Sequence, residues 1–295
     1  MASKPRFAQG PVLSLLLAAT LWGVIWYPLR VLEQHGLNGL WTSVVSYGSA
    51  LLALGIYALR QQLNWRTEKR HLLLMALAAG WCNVAFVMAI IDGAVLRVLL
   101  LFYLSPVWSV LLARWLLGER ASRAALAVVG LALLGALVML WDDALGLPWP
   151  RARADWLALS SGLTFALSNV YVRRMREVSL VAKTLASWLG VIAVAALWLM
   201  LSGPSVPVVS ALTILGAVTL GLFGIVIMSL AVQYGVTHMP VHRSAVILLF
   251  ELVAGAVSSQ WLTQEVIGPR ELIGGLLIVI AAYVAARPDV AEAAP

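Results

Sequence analysis

Charge is what this chain has least of. Only 11% of its residues are charged and 62% are hydrophobic, with a mean hydropathy of +0.94. Soluble domains carry about 25% charged residues, so a soluble globular fold is excluded. Cysteine is nearly absent too: Cys82 stands alone in an apolar run. One thiol builds no disulfide framework and no cysteine metal site within a chain. No G-x-x-x-x-G-K-[ST] loop is present, which excludes an ATP-driven pump subunit, and no H-E-x-x-H either. His238 and His242 are four apart, but Pro240 between them spoils a regular helical metal face. No nucleophile–base or metal–carboxylate constellation marks an enzyme. No cofactor and no metal are expected. The net charge of +7 comes from basic residues clustered between apolar runs, as membrane topology requires. No basic face interleaved with aromatics is present, so nucleic acid is not an expected partner.

What is there is apolar and long. Uncharged or nearly uncharged runs occupy about 11–31, 39–59, 71–91, 94–117, 123–141, 155–174, 180–202, 209–235, 241–263 and 270–287. A helix needs about 20 such residues to cross a bilayer, and the lengths and the lack of alternation point to helices rather than strands. The stretch from Thr184 to His242 carries no formal charge, and Gly203-Pro204-Ser205-Val206-Pro207 divides it in two. Lys4 and Arg6 precede an uncharged run from Phe7 to Leu29. That run is too long for a signal peptide, and Trp22, Trp26 and Tyr27 crowd the cleavage position. It is expected to be a retained first span.

Orientation follows from counting Lys and Arg. With the N-terminus inside, 15 basic residues fall inside and five outside: Arg30, Arg97, Arg151, Arg153 and Arg270. Both termini are therefore expected to be cytoplasmic, with an even number of spans.

The chain also repeats itself. Arg97, Trp115 and Glu119 recur as Arg243, Trp261 and Glu265, each shifted by 146 positions. The expected organisation is a first five-helix repeat over 1–145, a linker over 146–153, a second repeat over 154–288 and a tail over 289–295. Five spans per copy invert the second copy relative to the first, the architecture of carriers whose halves exchange conformations. The expected fold is thus all-α and integral to the membrane: ten transmembrane helices as two inverted five-helix repeats.

The same residues carry a resemblance. Leu21-Trp22-Gly23, Ala89, Arg97, Pro106, Gly118-Glu119 and Gly130 look like one EamA unit; Ala231, Arg243, Glu265 and Gly274-Gly275 look like a second. The chain resembles the drug/metabolite transporter superfamily, and within it the bacterial amino-acid exporters, the aromatic amino-acid group among them. The resemblance implies a bacterial inner-membrane exporter of amino acids or related small metabolites. It also implies a central cavity lined by spans 1, 3, 4, 6, 8 and 9, with spans 5 and 10 as supports. Drugs or other metabolites are alternative cargo; a passive channel or a membrane-embedded enzyme is the alternative of another class. A monomer is expected, with a dimer as the alternative, in contact with membrane lipid and a small-molecule substrate. One departure stands out: where the first copy has Pro106, the second has Leu252, with Glu251 just before it.

Glu251 is the sharpest candidate site residue. An ionisable group mid-span costs roughly 2.5–3.5 kcal/mol on insertion scales, so it faces the interior, pairs or is protonated. It fits a substrate-amine contact, a proton-coupling group or an interhelical hydrogen bond equally. Asn83, Ser168 and Asn169 lie mid-span, where amides and hydroxyls seek partners in other helices. Trp26, Tyr27, Trp81, Tyr103 and Tyr171 are candidates for an amphipathic cavity wall, or for ordinary packing and interfacial anchoring. Trp22, Trp26 and Arg30 share one helical face. Pro106 is a hinge candidate, since it frees a carbonyl inside a helix. Arg97 and Arg243 are gate candidates, with snorkelling to the interface as the plainer expectation. Glu119 and Glu265 are expected to pair with nearby arginines such as Arg123 and Arg270. Gly216, Gly221 and Gly224, and separately Gly274-Gly275, offer small faces for helix contact.

Overall fold

A computed structural model describes residues 9–60, 68–93, 95–142, 149–203, 206–263 and 267–287. Glu265, residues 146–148 of the expected linker, residues 204–205 and the expected tail 289–295 lie outside them. The described residues are helical, without a strand. They form ten rods: α1 (Gln9–Gln34), α2 (Gly39–Ala58), α3 (Lys69–Asp92), α4 (Arg97–Leu117), α5 (Arg123–Met139), α6 (Arg153–Arg174), α7 (Leu180–Ser202), α8 (Ala211–His238), α9 (Val241–Leu262) and α10 (Pro269–Ala286). All except α5 and α6 are long and apolar enough to cross a membrane; α5 is apolar but has 17 residues. α6 carries Arg153, Asp155, Arg173 and Arg174 at its ends.

Local chemistry sets the boundaries. Asn38, Ser122, Ser179 and Ser210 accept hydrogen bonds from backbone N–H groups in the first turns of α2, α5, α7 and α8, satisfying donors that a helix start leaves open. Gly203, at φ 63°, ends α7, a left-handed position that costs glycine little.

The rods are not straight. α1 breaks at Ile25, where Pro28 lacks the N–H that would reach back one turn. α4 breaks at Tyr103–Leu104, just before Pro106, and α9 breaks at Leu249. Leu249 lies 146 positions after Tyr103, so both copies bend at the same register. The second bend forms without a proline: the Leu249 and Leu252 N–H groups make tighter three-residue bonds, donating to the Val246 and Leu249 carbonyls respectively. α4 and α8 also widen into π-turns at Ala113–Leu117 and Leu220–Ile225.

Packing between rods follows one rule. α3 packs on α6 and α7; α8 packs on α1 and α2. α4 packs on α6 as α9 packs on α1, and α2·α7, α4·α9 and α5·α10 close the set. Adding five to every label exchanges the first six of these contacts in pairs and maps α2·α7, α4·α9 and α5·α10 onto themselves. Close crossings use glycine: a Cβ on Gly190 would stand 1.9 Å from the Ala76 carbonyl oxygen, so only hydrogen fits where α7 meets α3. Gly221 meets the Ser46 backbone and Gly274 meets Gly135, whereas Gly224 faces only its own helix's Leu220 and Met228 side chains.

Candidate functional site

The bends of α4 and α9 bring two candidates together. The Tyr103 hydroxyl donates to Glu251 Oε1, joining the two halves of the chain across 148 positions. Glu251 sits about 15 Å along α9, ten residues in at 1.5 Å each. Tyr103 is 7% exposed, and Glu251 is half-buried. α1 closes on the backbone of Glu251 through Gly23, where a Cβ would come within 2.5 Å of the Glu251 carbonyl oxygen. The carboxyl group itself is engaged on the α4 side, by Tyr103. Cys82 on α3 lies within electrostatic reach of Glu251, and Tyr47 on α2 within reach of Cys82. Asn83, next to Cys82, has a buried Oδ1 with no hydrogen-bond partner among the described residues.

Pro106 acts through the chain before it. It leaves the Phe102 carbonyl without its regular helical donor, and Gly162 of α6 lets a backbone approach that oxygen, a Cβ there being 2.6 Å away. The Phe102 ring meets Phe86 at 4.9 Å, Tyr103 at 5.3 Å and Phe165 at 5.6 Å between centroids. This aromatic wall, with the Tyr103 hydroxyl and the Glu251 carboxyl beside it, offers both apolar and polar contact. Phe86, Phe102 and Phe165 were not singled out from the sequence, where phenylalanine in an apolar run carries no distinguishing signal.

The other candidates lie apart from this centre. Trp26 donates to Ser258 at 2.9 Å, stands 5.6 Å from Tyr27 and carries the Arg30 guanidinium over its ring at 4.9 Å. Trp81 donates to Ser160 at 3.2 Å and meets Trp198. Tyr171 stacks near His71 in the first turn of α3, centroids 5.7 Å apart. Ser168 and Asn169 are buried in α6, 8% and 6% exposed. Among the described residues, Ser168, Asn169 and Asn83 make none of the interhelical hydrogen bonds expected of them.

Both repeated arginines are held by the protein itself. Arg97 pairs with Asp155 at 3.0 Å and donates to the Trp149 carbonyl, tying the starts of α4 and α6. Arg243 donates to the Ala285 carbonyl at 2.5 Å and the Arg287 carbonyl at 3.0 Å, closing the end of α10. Carbonyl and carboxylate oxygens within reach satisfy the planar donors of each guanidinium.

Glu119 also departs from expectation. Its partners are Arg173 at 3.0 Å and Arg176 at 3.4 Å, not Arg123. The π-turn and the left-handed Gly118 (φ 71°) carry it off the α4 axis toward α6. Its second oxygen accepts the Val241 N–H at 3.3 Å, at the start of α9, where a carboxylate is favoured by the helix dipole. Arg173 also donates to the Thr237 carbonyl at 2.8 Å. One carboxylate thus clasps α4, α6, α8 and α9. Lys183, fully buried in the first turn of α7, stands beside this clasp. Its ammonium donates to Thr237 Oγ1 at 2.5 Å and reaches the Met175 and Val172 carbonyls at 3.3 and 3.4 Å. The sequence had marked Lys183 only as a topological charge.

With this geometry in view, comparisons with known proteins are decisive for the family. The model of the EamA-like transporter family matches residues 9–141 and again 152–287. The chain belongs to the EamA-like transporter family. It is accordingly a multi-pass membrane protein of the drug/metabolite transporter superfamily, a group of transporters rather than enzymes. No curated protein matches it. Among solved structures, one described only as "Crystal structure of protein" superposes with a TM-score of 0.76 at 20% identity, over 93% of this chain and 97% of its own. That likeness concerns the fold.

Proposed function

We propose that this EamA protein is a secondary exporter of amino acids, aromatic ones among them, and related small metabolites, working by alternating access in a bacterial inner membrane. Its ten helices cross the membrane as two inverted repeats, with both termini in the cytoplasm. The packing rule of adding five supports the repeats, and the 15-to-5 distribution of Lys and Arg supports the orientation.

The observation that carries the reading is the Tyr103–Glu251 pair at matched bends of α4 and α9. A carboxyl held mid-membrane by a single phenol is a site for a substrate ammonium. The Phe86–Phe102–Phe165 wall beside it takes an apolar or aromatic side chain. A cationic drug fits the same two features, so drug export is the second reading.

Counterflow of labelled amino acids in proteoliposomes, with and without a pH gradient, tests the assignment. Saturable exchange of unmodified substrate separates a carrier from a channel and from an enzyme. We expect E251Q to lower exchange at least about tenfold, the loss of one charge-assisted contact of roughly 1.5–3 kcal/mol. Exchange by E251Q at the normal rate and with normal pH dependence removes Glu251 from the mechanism. Absence of exchange with every amino acid ends the amino-acid reading.

A further inference from the structure

The helix ends gathered by Glu119 enclose a cavity of about 460 Å³, well away from Glu251, lined in part by Glu68, Glu119, Arg173, Arg174, Arg176 and Glu177. We propose that this cavity is a loading site for a zwitterionic solute, occupied before the solute reaches the membrane centre. The inference rests on the transport reading above, and in the orientation given there the cavity opens to the cytoplasm.

Three observations point to a zwitterion. First, the lining is balanced, three carboxylates against three guanidiniums. A dianion would meet Glu119 and Glu177, and a dication would meet the arginines; a molecule carrying one charge of each sign meets a partner for both. Second, most of these groups are already committed and two are not. Glu68 is 2.5 Å from His71, Arg174 donates to the Leu116 carbonyl, and Arg173 is held by Glu119 and Thr237. Arg176 makes one contact, at 3.4 Å, with its side chain 55% exposed. Glu177, the next residue, has no ion-pair partner among the described residues. An ammonium and a carboxylate on one small molecule match this adjacent pair. Third, the volume lies within the roughly 300–1,000 Å³ of small-molecule sites, and Leu116, Leu117 and Val178 supply apolar wall for a side chain.

The site also bears on the clasp. A ligand carboxylate on Arg176 competes directly with Glu119 for that guanidinium. Filling the cavity therefore weakens one of the bonds that hold the end of α4 to the turn between α6 and α7.

The test is equilibrium binding of radiolabelled L-phenylalanine to the full-length protein in nanodiscs, as wild type, E251Q and the double variant E251Q/R176Q. E251Q is expected to retain one saturable site. The double variant is expected to weaken it at least about tenfold, 1.4 kcal/mol of one charged contact. E251Q/E177Q serves as the second double variant; the Arg176 and Glu177 side chains are both exposed, so replacing either leaves the fold intact. Unlabelled phenylalanine is expected to compete at this site, while phenylalanine amide, which lacks the carboxylate, and N-acetyl-phenylalanine, which lacks the ammonium, compete poorly. Binding by the wild type that E251Q abolishes overturns the loading site and leaves the central site standing. Equal competition by either blocked analogue overturns the zwitterion assignment. Absence of both binding and counterflow in the wild type overturns the loading site together with the amino-acid reading.

Discussion

The two ends of this molecule are built from matched helix termini, yet they are held by different forces. At one end Glu119, Arg173, Arg176, Lys183 and Thr237 form a connected polar network. The residues 146 positions earlier than Arg173, Arg176, Lys183 and Thr237 are Tyr27, Arg30, Leu37 and Ile91. Leu37 is as buried as Lys183, but it packs with Leu32 and Ala217 in an apolar cluster. Tyr27 and Ile91 are exposed, and Arg30 lies over the Trp26 ring rather than in a cluster of carboxylates. A carrier with inverted repeats closes each end in turn. At these matched positions one end is held by charge and the other by apolar packing, the other end's own ion pair, Arg97–Asp155, lying at the starts of α4 and α6. The first is sensitive to salt and to charge removal; the second answers to volume and burial.

Putting a charge at the apolar end gives the largest expected effect. L37K places an ammonium where Leu32 and Ala217 are the neighbours, and an uncompensated buried charge costs about 3–5 kcal/mol. Folded yield and unfolding midpoint in detergent are expected to collapse. A well-folded L37K would mean that this end is wetter than its burial indicates.

Removing the charge at the polar end comes next. E119Q takes the counter-ion from Arg173, whose side chain is only 11% exposed, for a loss of roughly 1.5–3 kcal/mol of charged hydrogen bonding. The protein is expected to fold, because Arg173 keeps the Thr237 carbonyl, but the clasp on α4, α6, α8 and α9 loosens. Cys82, the chain's single cysteine, reports this from the centre. Its labelling by an impermeant maleimide added at the clasp side is expected to speed up several-fold. High salt should mimic the effect in the wild type. Unchanged labelling would mean the clasp is structural rather than a gate.

A smaller effect is expected from W26F, which deletes the indole donor to Ser258. Ser258 retains the Gly23 and Gly255 carbonyls as acceptors, so only the net value of a neutral bond is lost, about 1 kcal/mol. Thermal unfolding should shift slightly, and E119Q-type labelling of Cys82 should not appear.

How much of this was legible beforehand depends on whether the signal was local. Helix positions were, since an uncharged run of 20 residues has few other fates in a membrane protein. Glu251 was legible because a carboxyl in such a run is conspicuous. Its pairing with Tyr103 was not, because the contact spans 148 positions and depends on two bends, one of them at Leu249 with no proline to announce it. Glu119 was legible as a repeated residue, but its partner was misjudged. Nearness in sequence favoured Arg123; a π-turn and one left-handed glycine, neither of which the sequence announces, send the side chain to α6 instead. The partner of Arg97 went unseen for a similar reason, since Asp155 lies 58 positions away. Lys183 gave the faintest signal of all: a lone cation opening a long uncharged stretch.

That lysine provides the finest test of the comparison. K183L installs at the polar end the residue that the repeat places at the apolar one. It removes the donor to Thr237 Oγ1 and to the Val172 and Met175 carbonyls. Thr237 keeps the Gln233 carbonyl as acceptor at 2.6 Å. Met175 borders the cavity at this end, so water replaces the ammonium at its carbonyl. The burial of an ammonium without a carboxylate partner is relieved at the same time, and such relief offsets lost hydrogen bonds. The net change is expected to be within about 1 kcal/mol, the scale of a single hydrogen bond, far smaller than for L37K at the matched position. The pair is measured by unfolding midpoint under identical detergent conditions. Equal damage from the two exchanges would erase the distinction between the matched positions; a tolerant Lys183 beside an intolerant Leu37 would mean that polarity is dispensable at one of them and excluded at the other.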